Sequence, residues 1–171
     1  MNKELALSFL AKHQPFPPDG DLSQADLTKL REVLEFIDSY PEPDYVKPLI
    51  NCFGDGTGFG LYEMAEDIIV FSLPREDVVA ELALALESPH AGVRLRACFI
   101  CFEVYDEKLV SPLVGLMQDS YAIIRRNAAC ALSEYAHAKA PLQVALLTEM
   151  DDEVRDVIQD SLKTIALRPT N

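Results

Sequence analysis

The chain writes one segment three times. Gly92 to Tyr105 (GVRLRACFICFEVY) returns as Ile123 to Ala136 (IIRRNAACALSEYA) and again as Glu153 to Ala166 (EVRDVIQDSLKTIA). A hydrophobic residue followed by Arg marks each copy: Val93-Arg94, Ile124-Arg125 and Val154-Arg155, spaced 31 and 30 residues apart. Small or apolar residues keep step with these pairs, first Ala97, Ala128 and Ile158, then Cys101, Leu132 and Leu162. Seven residues before each pair stands another apolar residue: Leu86, Met117 and Leu147. A weaker copy starts at Leu61, with Ala65 and Ile69 in the equivalent places. A period of this length, holding two short amphipathic helices, is the mark of an α-solenoid. Each helix pair has an apolar face that only its neighbours can cover.

Helical spacing continues upstream, and no strand stands out. Leu27, Leu30, Leu34 and Ile37 form a stripe at i, i+3, i+7 and i+10. That helix should end near Tyr40, before Pro41 and Pro43, and Asp21 with Gln24 has capping-box spacing at its start. A short helix is expected from about Asp44 to Phe53. Next comes GDGTGFG (residues 54–60), with four of the seven glycines, which breaks any helix and reads as a flexible connector. The predicted organisation is a single domain over 1–171. It divides into an N-terminal helical cap (1–53), the Gly-rich connector (54–60) and the repeats (61–171).

The hydrophobic-Arg pairs, the turn acids before them (Asp119; Asp151-Asp152) and the Ala-rich first helices resemble HEAT-like repeats. The match is to the short kind of about 30 residues first noted in phycobilin lyases. It covers about Leu61 to Ala166. It implies an all-α, right-handed solenoid and says little of function, because such repeats serve adaptors, inhibitors and enzymes alike. Arg94, Arg125 and Arg155 should then form a ladder between repeats, with the turn acids and helix C-terminal carbonyls.

Candidate chemistry is sparse. Cys98-x-x-Cys101 has redox or metal spacing, yet Cys101 fills the slot of Leu132 and Leu162, and no second Cys pair exists. It reads as core, as does Cys130. The Gly-rich stretch lacks the Lys-Ser or Lys-Thr of a phosphate cradle, and nearby acids would repel phosphate. An EF-hand register through Asp55, Gly60 and Glu66 puts Thr57 and Phe59 where oxygen ligands belong. His13, His90 and His137 are followed by Gln, Ala and Ala, so the His-Glu dipeptides of di-iron HEAT-repeat hydroxylases are missing. HEAT-like DNA glycosylases are basic and use Trp, whereas this chain has none. The expectation is a non-enzyme with no catalytic residue, cofactor or metal.

Charge is the remaining signal. Against 15 Lys and Arg stand 28 Asp and Glu, a net charge of −13. Such a balance disfavours nucleic-acid backbones and anionic membranes as partners and suits a basic protein or a cation. The charge is also localised: residues 1–87 hold 17 acids and 6 bases, residues 88–171 hold 11 and 9. Glu63, Glu66 and Asp67 share one helix face and repel one another, so that face calls for water or a cationic partner. Asp55, Phe59, Tyr62, Glu63, Glu66, Asp67, Glu76, Asp77 and Glu81 are therefore the candidate partner-binding residues. Among the aromatics, Tyr62 reads equally as surface anchor or core, and Phe71 reads rather as packing between repeats.

The expected role is protein binding, with the chain a monomer or weak oligomer. Residues Leu5 to Ala11 form too short an apolar run for a leader and favour a cytoplasmic protein. The N-terminal helical segment, Gly-rich loop, acidity and few repeats also resemble bacterial immunity proteins. That resemblance implies neutralisation of a toxin, often a basic nuclease. The alternative is a lyase-like, chaperone or adaptor repeat protein that handles a cofactor or an enzyme subunit.

Overall fold

The computed structural model describes residues 1–168. Ten α-helices follow one another: α1 (Lys3–Ala11), α2 (Gln24–Ser39), α3 (Val46–Ile50), α4 (Leu61–Phe71), α5 (Arg75–Ala85), α6 (Ala91–Ile100), α7 (Val110–Leu116), α8 (Ala122–Leu132), α9 (Lys139–Thr148) and α10 (Asp152–Leu167). Short 3-10 turns join several of them, and no strand occurs among the described residues.

Local chemistry fixes the helix starts. Asn2, Ser23 and Asp151 each accept a backbone N–H from the first turn of α1, α2 and α10, the standard relief for unpaired amides there. The cap of α2 is thus Ser23 and not Asp21, which sits in the preceding 3-10 turn. Ser23 wins because its hydroxyl reaches both the amide of Asp26 (3.1 Å) and its carboxylate (2.6 Å). Pro41 lies beyond the end of α2 as expected, and Pro74 sets the start of α5.

Two rows of helices result. One contains α2, α4, α6, α8 and α10, each packed on the next. The other contains α3, α5, α7 and α9, each packed on the first-row helix that follows it. The N-terminal segment enters this scheme: α2 packs on α4 and α3 on α5, so residues 24–50 continue both rows, with α1 against α2 and α3. One set of buried apolar residues runs from Ala6 to Ile165. Ala65, Ala97, Ala128 and Ile158 all lie in it, as the repeat phase requires. Leu147 departs from phase. Leu86 and Met117 are buried, whereas Leu147 is 84% exposed, because α9 buries Leu142 and Ala145, 29 residues after Leu113 and Leu116 respectively, so that Leu146 takes the equivalent inward place.

The arginine ladder is present. Arg94 donates to both carboxylate oxygens of Asp119 (2.7 and 3.3 Å) and to the Ser88 carbonyl (2.8 Å). Arg125 repeats the pattern on Glu149 (2.7 and 2.8 Å) and the Asp119 carbonyl. Arg155 holds the carbonyls of Glu149 and Leu146. The acid on the second rung is Glu149, because Asp151 is engaged in capping α10. Arg125 leads in holding the Glu149 carboxyl down at about 2, and the amides of Asp151 and Met150 add to this.

Candidate functional site

The Gly-rich stretch is docked rather than flexible. Gly56, Gly58, Phe59 and Gly60 all take positive φ, at 121°, 57°, 52° and 87°. Three of these suit glycine, and Phe59 is the exception. The Asp19 carboxylate accepts the amides of Thr57 and Gly58 (2.9 Å each) and the Thr57 hydroxyl. Burial opposes the charge on Asp19, yet these bonds hold its carboxyl below the ordinary range. From beneath, the Gly54 amide donates to the Tyr62 hydroxyl (3.0 Å), and Gly92 of α6 abuts the Gly54 carbonyl. A connector bonded from several elements has lost the freedom its glycines suggest.

Arg96 of α6 joins this loop to α4. It is 6% exposed. Its guanidinium donates to Glu66 (2.8 Å), to Glu63 (3.4 Å) and to the Gly56 carbonyl (2.8 Å). The guanidinium carbon also sits 5.3 Å from the Tyr62 ring centre and 5.6 Å from that of Phe99, a cation–π geometry on both. Burial, assisted by Glu63 and Asp67, keeps the Glu66 carboxyl above its usual range even with Arg96 beside it. The cation demanded by the crowded face of α4 is thus partly internal. Sequence spacing did contain a signal for it: Arg96 lies 30 residues after Glu66, one repeat period, which sets neighbouring first-row helices face to face. One period further on, Asn127 is buried in the same phase and spends its amide on the Ile123 carbonyl.

The candidate residues do not form one surface. Tyr62 must be removed from the partner-binding set: it is fully buried, with its ring edge-on to Phe53 and its hydroxyl satisfied by Gly54. Burial also pushes its hydroxyl up to about 12. Glu66 is largely covered by Arg96. Glu76, Asp77 and Glu81 belong to α5, in the second row, away from the α4 helix that carries Glu63, Glu66 and Asp67. Glu76 and Asp77 are exposed in the first turn of α5, where carboxylates favour the helix dipole, and Glu81 accepts from the Asn51 amide (2.7 Å). Asp55 and Phe59 are exposed on the loop.

Phe71 reverses its expectation in the other direction. It is 75% exposed at the end of α4, beside Phe102 at 37%. Together with Val70, Phe99 and Ile100 they line a groove of about 340 Å³ between the C-terminal ends of α4 and α6. Its polar lining is Glu66, Asp67 and Glu103, and no basic residue contributes. Neither Asp67 nor Glu103 has a side-chain hydrogen bond or ion pair among the described residues.

The cysteines occupy the core. Cys52, Cys98 and Cys101 are buried and Cys130 is half-buried, all as free thiols. Burial pushes Cys52 and Cys101 up to about 12 and raises Cys98 and Cys130. Among the described residues no cluster of His, Cys, Asp and Glu has the arrangement of a metal site, and no helix is long and apolar enough to cross a membrane.

Residues 79–163 match the family of HEAT repeats. No curated protein matches the chain. The family match covers α6 to α9 whole, with most of α5 and α10, and HEAT repeats commonly mediate protein–protein contacts as non-enzymatic scaffolds.

Proposed function

We propose that the chain, whose residues 79–163 match the HEAT repeats, is a non-enzymatic binding module for a basic protein, engaged through the acidic residues of the loop and first repeat. One observation carries this reading. Of the eight acids from Phe53 to Glu87, only Glu63 and Glu66 have an ion pair among the described residues, and Asp55, Asp67, Glu76, Asp77, Glu81 and Glu87 have none. Arg75, the one base in that span, instead donates to the Tyr105 carbonyl. Such unpaired carboxylates suit charge-steered encounter with a cationic surface. We read the whole as a single-domain, right-handed solenoid, cytoplasmic and monomeric or weakly associating. An immunity protein that neutralises a basic toxin is the narrower form of this proposal.

The test is retention of proteins from the native host on the immobilised chain, identified by mass spectrometry, with D55K/D67K/E76K/D77K as comparison. A basic partner, released by salt and lost on charge reversal, supports the reading. Equal retention by both chains, with equal salt dependence, refutes it.

A further inference from the structure

We infer that the groove between the C-terminal ends of α4 and α6 is the docking site for an amphipathic basic helix, one whose apolar face carries flanking Lys or Arg. This rests on the reading of a basic protein partner and says where and how that partner is held. Phe71 and Phe102 are both exposed there, and aromatic residues, Phe among them, are enriched at the cores of protein interfaces. Around them stand Asp67 and Glu103 without partners and Glu66 with one. A neutral apolar helix would bury those carboxylates unpaired, and an acidic one would be repelled. A helix that brings cations satisfies them. Charge complementarity therefore selects the occupant.

The chain itself shows how such a cation is bound. Arg96 lies against the back of the same wall, with its guanidinium over Phe99 and its hydrogen bond on Glu66. On the open side Phe102 follows Phe99 at 6.5 Å between ring centres, with Glu103 next to it in sequence. A partner's Arg placed over Phe102 and bonded to Asp67 or Glu103 would make the same aromatic-and-carboxylate contact from solvent. Phe71 would meanwhile receive the apolar face of the helix.

The test uses the full chain and two synthetic peptides. One is a Lys/Leu amphipathic helix of about 18 residues, long enough to hold helical structure. The other is a Lys/Gly/Ser peptide of equal charge and no apolar face. By titration calorimetry the helix should bind more tightly than the Gly/Ser peptide. F71S/F102S should weaken the helix by about tenfold or more while leaving the Gly/Ser peptide unaffected. D67N/E103Q should weaken the helix and flatten its salt dependence. If the helix binds in a salt-dependent way and F71S/F102S leaves its affinity unchanged, the groove is wrong and the basic-partner reading survives. If neither peptide binds at low salt, both fall. Should F102S disturb folding, F71S alone carries the comparison, since that side chain is three-quarters exposed.

Discussion

Gly92 rests directly against Gly54: a methyl group on Gly92 would lie 2.3 Å from the Gly54 carbonyl oxygen and 2.5 Å from its carbon. Neither contact is with a flexible side-chain end, so relief requires backbone movement. G92A should therefore destabilise the fold by about 1–3 kcal/mol, as overpacking does. Gly115, exposed in α7 with nothing within 4 Å of an added methyl, is the control. There G115A should stabilise by about 0.5–1 kcal/mol, because the unfolded chain loses freedom. Urea unfolding midpoints of the two variants should move in opposite directions.

Removing Arg96 leaves Glu66 half-buried without a cation and the Gly56 carbonyl without a donor. R96M should cost about 3 kcal/mol near pH 7. The sign with pH is determined. Burial already raises the folded carboxyl of Glu66, and loss of Arg96 raises it further. A raised group favours folding fully below its unfolded value and less as pH climbs through the folded one. The penalty of R96M should accordingly shrink as pH is lowered towards 5, measured as the difference in unfolding free energy.

Glu149 behaves in the opposite sense. Its carboxyl, held at about 2 in the fold mainly by Arg125, contributes stability above its unfolded value that is lost as pH falls towards 2. E149Q should cost about 2–3 kcal/mol at neutral pH, because it cuts the two-pronged bond between this buried carboxylate and half-buried Arg125. Below pH 4 the variant and the parent should converge in thermal midpoint.

Tyr62 and Tyr135 are both pushed up to about 12 by burial, and each hydroxyl serves a backbone group, at Gly54 and at Asp106. Stability from these two is complete below pH 10 and drains as pH passes through 12. Absorbance titration should show their ionisation coinciding with alkaline unfolding rather than preceding it. Y62F and Y135F should each cost about 1–3 kcal/mol by stranding those groups.

The buried Cys98-x-x-Cys101 pair should be inert. With an aromatic disulfide reagent near pH 8 the native chain should release thiolate from half-buried Cys130 first, and from the other three only after denaturant is added. Rapid modification of Cys101 in the native chain would contradict its place in the core.

The parts of this fold that repeat were legible in the sequence, because an offset of one period puts like residues against like. Ala97 and Ala128 behaved as their phase required, and Arg94 and Arg125 found turn acids. What needed a decision within one helix was harder. Tyr62 and Phe71 are nine residues apart on α4, and at 100° per residue that sets them on opposite sides. Only one of the two could join Ala65 and Ile69 in the core, and the fold chose Tyr62. Arg96 carries no local mark of its role, because along the chain its acids lie 30 and 33 residues away. The glycines of 54–60 signalled freedom, whereas their positive φ values serve a fixed turn whose anchor, Asp19, lies in another segment.

The arginine ladder has one more consequence. Each rung is written in relative addresses: Arg94 and Arg125 both reach the carbonyl six residues behind and an acid 25 or 24 residues ahead. No rung refers to an absolute place in the molecule. Gene duplication of one unit would therefore copy a complete clamp with both of its addressees. Such a chain can change length by whole units and keep every joint, whereas loss of half a unit leaves an arginine pointing at nothing. Pulled from one end, it should also yield joint by joint, each step as long as one period of sequence.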